Sequence, residues 1–299
     1  MVVSFSARSD SPRVLYIMGT GRSGTTVLEI LLSDDDKICS VGELTHIFQD
    51  GFVGDQICAC GASFSRCEFW KRVQQRISYP TSQLLQVSDL LHTIDWHSGF
   101  LKLIFHAVPV EKIRLYNNIN NELYAACAAV SGKRIVIDSS KYPARALMLN
   151  RLYGAAVKII CLTRSPEGML ASFQKTEVEQ PPKKPLAVLL YYVYVLLCCR
   201  LVAIFTKNVH FISFEELSAF PFKTIKGIEN FTGVSFEESR KRIEEDRPFT
   251  PGHIITGNRL KNSRAIYFQK KKTIEKEPQY KHKILLFLMK TSQKMLGFS

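Results

Sequence analysis

The segment Gly19-Thr-Gly-Arg-Ser-Gly-Thr-Thr26 brings three glycines, an arginine, a serine and adjacent threonines into one short turn. Glycines let successive backbone N–H groups turn toward a single point, and a helix beginning after Gly24 adds the positive end of its dipole. Ser23, Thr25 and Thr26 add hydroxyls, and Arg22 adds a planar charged fork matched to phosphate or sulfate oxygens. The spacing is that of a triphosphate-binding loop with Thr25 where the lysine belongs. A nucleoside triphosphatase would be handicapped by that exchange, whereas a nucleotide with one 5′-phosphate and one sulfuryl group would not. A bare glycine turn is the plainer reading, and the arginine and two threonines weigh against it together.

Three further places could do chemistry. Arg164 ends an apolar run and Ser172 follows eight residues later, so the two can converge on a second phosphate. Glu43, in Ser40-Val-Gly-Glu-Leu44, is either a base or an ordinary carboxylate at a helix start. Lys141, in Ile137-Asp-Ser-Ser-Lys-Tyr-Pro143, is either a cation aimed at a reacting oxyanion or a rim residue in a surface ion pair.

These residues need a frame, and the sequence supplies one. Arg13–Met18 is a short apolar run that reads as a buried strand, and Thr25–Leu32 after the glycine turn reads as a helix. Residues 134–138, 157–162 and 209–213 repeat the pattern, with helices expected over about 144–153 and 167–176 and an acidic helix start at Glu215-Glu216. Continuous apolar strands alternating with helices predict an α/β fold, a P-loop-type parallel sheet flanked by helices. Residues 51–130 show few strands and read as a mostly helical, cysteine-bearing insertion. Gln180-Pro-Pro-Lys-Lys-Pro185 breaks the chain before a long apolar helix, and 268–299 is a basic tail. One domain across 1–299 is the expected organisation.

At 299 residues, 46% apolar and 22% charged, the chain can bury a sizeable core. Forty Lys and Arg against 27 Asp and Glu give +13, which favours an anionic ligand or surface. Residues 1–13 contain no apolar run of the length a secretory signal needs. Eight cysteines, two of them adjacent, do not read as a disulfide framework. A reducing, cytoplasmic setting is expected.

Arg22-Ser-Gly-Thr-Thr26 after an apolar strand resembles the 5′-phosphosulfate loop of sulfotransferases that use 3′-phosphoadenosine 5′-phosphosulfate (PAPS), in the branch containing tyrosylprotein and many bacterial sulfotransferases. The strand, Arg164, proline turn and Ser172 resemble that family's 3′-phosphate motif. His253-Ile-Ile-Thr-Gly-Asn-Arg-Leu-Lys261 is similar to its late Gly-Asn loop, which makes Arg259 a candidate to close over the 3′-phosphate. The resemblance implies Glu43 as catalytic base, with Lys141 and Arg22 stabilising the transferred group. It implies PAPS as cosubstrate; Arg22, Lys141 and the loop N–H groups supply the positive field, so no metal is required, and the acceptor hydroxyl or amine is left open among carbohydrate, lipid, small molecule and peptide. Phe214, in Phe211-Ile-Ser-Phe-Glu-Glu-Leu217, departs from relatives that often carry tyrosine there.

Other features invite other readings. A small-molecule phosphotransferase is the rival enzyme, disfavoured by Thr25. The charge alone invites nucleic acid, but no aromatic-interleaved basic stripe or known module accompanies it, so no nucleic-acid partner is expected. Cys58, Cys60 and Cys67, with Cys39 upstream, invite zinc. Cys-x-Cys is tight for a knuckle, so a packed or redox-labile loop is expected and no metal ligand is assigned. Residues 186–205 approach membrane-span length, yet Arg200 and their place between two strands favour a buried crossover helix. The tail from His282 is expected to pack on the domain, with peripheral membrane contact the alternative.

Overall fold

The computed structural model describes residues 12–33, 37–174, 183–256, 263, 265–268 and 283–298. β1 (Arg13–Gly19) leads through the glycine turn into α1 (Thr25–Leu32) and then β2 (Ile38–Ser40). A 3-10 turn (Leu44–His46) and a π-helical turn (Ile47–Val53) open the insertion. Its helices are α2 (Glu68–Gln74), α3 (Leu84–Asp95), α4 (His97–Ile104) and α5 (Val110–Ser131). β3 (Ile135–Lys141), α6 (Pro143–Tyr153), β4 (Val157–Thr163), α7 (Pro166–Phe173), α8 (Pro185–Thr206) and β5 (Val209–Ser213) complete the sheet and its crossovers. α9 (Phe214–Ala219), α10 (Pro221–Thr232), α11 (Glu237–Glu244) and α12 (Lys283–Met295) follow.

The sheet is parallel throughout, in the order β2-β3-β1-β4-β5. The α/β fold read from the sequence is therefore the observed one, with β2 added. The period of two along β1 sorts its side chains between two cores. Val14, Tyr16 and Met18 pack with the α2–α8 layer, and Leu15 and Ile17 pack with α1, α10 and α11. Both faces are covered, which is why the strands read as continuous apolar runs.

The connections from β1 and β4 leave the sheet on opposite faces. α1 belongs to one core, and Met169, Leu170 and Phe173 of α7 belong to the other. A crevice at such a divergence, at the C-terminal strand ends, is where open α/β sheets bind ligands. Register aligns the three inner strands there, with Met18 beside Lys141 and Gly19 beside Leu162.

α8 is a crossover helix, as its place between two strands predicts, but it is buried along one side only and not throughout. It is long and apolar enough to cross a membrane by length and composition. It buries Val188, Tyr192, Val195, Cys199 and Val202 in the core, while Leu186, Leu190, Ile204 and Phe205 stay exposed. α12 packs on the domain through Leu286 and Met289, and Phe298 meets Phe211 edge-on. Lys290 pairs with Glu167 of α7. The tail thus docks by its apolar side, as expected, and leaves Ile284, Phe287 and Met295 exposed.

Candidate active site

The glycine turn forms as its composition dictates. Gly24 takes φ +97 at the N-cap of α1, and a β-carbon there would lie 2.5 Å from the ring of Phe214. Left-handed backbone and ring contact together require glycine. Ser23 is buried and donates its hydroxyl to the Thr20 carbonyl at 2.7 Å, which closes the turn. Thr25 and Thr26 are buried at the start of α1. Arg22 has φ +73, unusual for a side chain of its size. On the far side, the Gly21 N–H donates to the Tyr191 hydroxyl of α8 at 2.7 Å.

Arg164 follows β4 and reaches back to the same turn, donating from Nη1 to the Arg22 carbonyl at 3.2 Å. Its guanidinium lies 4.9 Å from the centroid of the Phe214 ring. The Tyr192 hydroxyl donates to the Arg164 carbonyl at 2.9 Å. The missing tyrosine hydroxyl at 214 therefore leaves a ring that still packs on both Gly24 and Arg164. Ser172 sits half-buried near the end of α7, the helix that starts directly after Arg164 and Ser165. Arg259 lies outside the described residues.

Glu43 and Lys141, 98 positions apart in sequence, meet. Lys141 ends β3 with φ +71, and its Nζ stands 2.6 Å from Glu43 Oε1. Glu43 is buried, whereas the lysine is half-buried. Glu43 does stand at the start of a 3-10 turn and Lys141 does form an ion pair, but with a buried carboxylate rather than at the surface. His46 Nε2 lies 3.9 Å from the other Glu43 oxygen. Burial lowers the His46 pKa despite the neighbouring carboxylates Glu43 and Asp50.

Two buried networks hold that pair, and sequence reading missed both. Glu29 of α1 accepts from the N–H groups of Val41 and Gly42 and the hydroxyl of Ser40 through Oε1. Its Oε2 accepts from Ser139 of β3. Glu29 thus ties the residue before Glu43 to the end of β3. Gly42 has φ +78, and a β-carbon there would lie 2.4 Å from the Ile255 carbonyl. The second network centres on Arg145 of α6, which bonds Asp138 at 2.8 Å and Asp95 at 2.9 Å. Tyr116 and Tyr124 donate to the two aspartates, Thr45 donates to Asp95, and Ser140 donates to Asp138. All seven side chains are buried. Thr45 N–H also donates to the Ser140 hydroxyl at 3.1 Å, which joins the turn after Glu43 to the residue before Lys141.

An aromatic wall rises beside Lys141. Tyr142 meets Trp96 and His97, each at 5.2 Å between ring centroids, and His97 meets Tyr191 at 5.4 Å. Burial, then the charges of Lys183 and Lys141, push the His97 imidazole down to about 4, so it is neutral. The C-terminal strand ends therefore carry Arg22 and Arg164 at the glycine turn, the Lys141–Glu43 pair at the end of β3 and a cluster of rings beside Lys141.

The cysteine loop differs from the sequence reading. Cys39 lies apart, its sulfur 3.9 Å from the Cys127 carbonyl. Cys58, Cys60 and Cys67 gather instead around His253, a residue the spacing never pointed to. The eight cysteines form no disulfide.

A sequence profile of the sulfotransferase family matches residues 13–238, and the chain belongs to that family. Among solved structures, the sulfotransferase domain from the curacin biosynthetic pathway is 17% identical with a TM-score of 0.50, covering 97% of this chain and 99% of that one. The sulfotransferase domain of the Synechococcus PCC 7002 olefin synthase is 19% identical, with a TM-score of 0.39 over 78% of each chain. Mouse sulfotransferase SULT7A1 complexed with PAP is 16% identical, with a TM-score of 0.40 over 87% of this chain and 77% of that one. At these identities the first likeness is one of fold, and the other two add nothing to it. No curated protein matches the chain.

Proposed function

We propose that this protein transfers the sulfuryl group of PAPS to a hydroxyl, or an amine, of an acceptor molecule. The observation that carries the reading is the Glu43–Lys141 pair, 2.6 Å apart at the C-terminal strand ends beside the glycine turn. In this reading the turn and Arg22 hold the 5′-phosphosulfate, and Arg164 with Ser172 and Arg259 holds the 3′-phosphate. The acceptor oxygen attacks sulfur in line as the bond from sulfur to the 5′-phosphate oxygen breaks. Glu43 takes the acceptor proton, and Lys141 and Arg22 meet the charge that grows on the leaving oxygen. Backbone N–H groups and these cations supply the positive field, with no metal in the reaction.

Trp96, His97, Tyr142 and Tyr191 suit an acceptor that presents a ring or an apolar face, whether carbohydrate, lipid or small metabolite. The unbridged cysteines are in keeping with a reducing, cytoplasmic setting. The test is calorimetric titration with 3′-phosphoadenosine 5′-phosphate beside ATP–Mg²⁺, repeated for Arg164→Ala. Metal-independent binding of the bisphosphate, sharply weakened in the variant, is the expected result. Binding of ATP–Mg²⁺ in its place would make the chain a phosphotransferase.

A further inference from the structure

Four side chains with metal-binding chemistry converge outside the active site, from two separate stretches of chain. Cys58 and Cys60 come from the loop before α2, Cys67 precedes α2, and His253 follows α11 at a distance of 186 residues from Cys67. Their ligand atoms all lie within 4.8 Å of one another. The sulfur of Cys67 is 3.6 Å from that of Cys60 and 3.8 Å from that of Cys58. His253 Nδ1 is 3.3 Å from the Cys67 sulfur and 3.8 Å from the Cys58 sulfur.

These separations can be set against a known shape. Tetrahedral zinc, with bonds of about 2.3 Å to sulfur and about 2.0 Å to nitrogen, requires edges of about 3.8 Å between sulfurs and about 3.6 Å from sulfur to nitrogen. The four distances fall on either side of those edges by a few tenths of an ångström. Three soft sulfurs and one imidazole are the donor set of a structural zinc centre, and four protein ligands leave no open position for catalysis.

The surroundings fix the ligands as an outer shell would. The His253 ring stacks on Phe69, with centroids 4.7 Å apart and planes 10° from parallel. Trp70 Nε1 donates to the His253 carbonyl at 2.9 Å, and Ala59 N–H donates to the Ile254 carbonyl at 3.1 Å. A thiol–imidazole hydrogen bond would account for Cys67 and His253 and would leave the approach of Cys58 and Cys60 to the same point unexplained. A disulfide would use two of the three sulfurs and leave the histidine with no role.

We propose that Cys58, Cys60, Cys67 and His253 bind one structural Zn²⁺. The site goes beyond the sulfotransfer reading and stands whether or not PAPS is the donor. Its place explains what the metal does. Two residues beyond His253, Ile255 lies beside Gly42 in parallel, donating its N–H to the Val41 carbonyl and accepting from Glu43 N–H, both at 3.3 Å. Zinc at His253 pins the segment that backs Glu43 to the cysteine loop and to α2.

The experiment is metal analysis of the full-length chain, purified under reducing conditions without chelator, with thiols counted after unfolding in chelator. About one zinc per chain and eight free thiols are expected. Cys60→Ser is the gentlest variant, because Cys60 is the exposed member of the set, and it should drop bound zinc several-fold with the fold intact by circular dichroism. Cobalt-loaded wild type should show tetrahedral d–d bands and a sulfur-to-metal charge-transfer band, and His253→Ala should shift the d–d bands. A metal-free chain with eight thiols, a chain with two thiols lost to a disulfide, or zinc retained in both variants would each overturn the proposal.

Discussion

Lys141 Nζ lies 2.6 Å from Glu43 Oε1, so the cation at the end of β3 and the carboxylate beyond β2 are held by each other. Neither residue is near the other in sequence. Each is placed by its own strand end, Lys141 at the last position of β3 and Glu43 three residues past β2. Their strands are neighbours in parallel register, with Ser40 beside Ile137.

Such a pair should fail as a unit. Glu43→Gln removes the proton acceptor and should lower turnover by about 10²–10⁴-fold, the usual value of a general base. Lys141→Met should cost about 10²–10³-fold through the lost stabilisation of the leaving oxygen. The double variant should be little worse than the more impaired single variant, because each group depends on the other. PAPS hydrolysis or an acceptor identified by screening supplies the assay. Multiplicative losses would show that the two residues act independently. Bisphosphate affinity within about threefold of wild type would locate the defect of Glu43→Gln in the chemical step.

Phe214 gives a sharper test of the nucleotide site. Its ring lies under the Arg164 guanidinium and against Gly24. A cation over a ring is worth about 0.5–2 kcal/mol, so Phe214→Leu should weaken bisphosphate binding about 2–30-fold. Phe214→Tyr keeps the ring and should stay within about twofold. Equal losses in both variants would mean that the ring does not orient Arg164. The comparison is made by calorimetry with 3′-phosphoadenosine 5′-phosphate.

Glu29 makes stability depend on pH. Burial raises its carboxyl from 4.5 to about 7, although hydrogen bonds from Ser139, Ser40 and Gly42 oppose the shift. Between those values the folded chain binds more protons at this site than the unfolded chain, so stability falls as pH rises through the window. The whole loss amounts to roughly 3 kcal/mol and is complete above about pH 7. Glu29→Gln keeps an acceptor for the Val41 and Gly42 N–H groups and does not titrate. The stability of wild type relative to Glu29→Gln, from urea unfolding, should therefore decline from pH 4.5 to pH 7.5. A flat difference would place the carboxyl's titration outside this range.

What the sequence disclosed, and what it withheld, follows from the range of the interactions. Strands β1, β3, β4 and β5 were legible because a sheet covered on both faces demands unbroken apolar runs. β2 was not, since Ile38-Cys-Ser40 is too short to carry a pattern. Arg22, Lys141 and Arg164 could be picked out as candidates because each ends or follows a legible strand, where α/β sheets gather ligands, whereas Glu43, beyond the unread β2, was a candidate only through its resemblance to the family's Gly-Glu segment. Their supports were not legible. Glu29 bonds Ser139 across 110 positions, Arg145 bonds Asp95 across 50, and Tyr191 bonds Gly21 across 170. Nothing local marks a helix glutamate as the brace of a distant loop. His253 is the plainest instance, since no spacing rule links it to three cysteines nearly two hundred residues earlier.

The Arg145 network is the strongest case of stability placed in service of the site. One guanidinium lies between Asp95 and Asp138, fully buried, with Tyr116 and Tyr124 completing the bonds. Removing the cation leaves two carboxylates in the core, and breaking a buried pair in this way costs about 3–5 kcal/mol. Arg145→Met should therefore lower the melting temperature by roughly 10 °C. Turnover should fall as well, because Thr45 and Ser140 hang from the same aspartates and sit beside Glu43 and Lys141. If unpaired charge is the cause, adding Asp95→Asn and Asp138→Asn to Arg145→Met should restore much of the stability, since a neutral core of similar volume carries no desolvation penalty. Turnover should stay low in that triple variant, because the hydrogen bonds that aim Glu43 and Lys141 are still altered. A triple variant as unstable as Arg145→Met alone would instead assign the loss to packing, and scanning calorimetry of the two variants beside wild type decides between these outcomes.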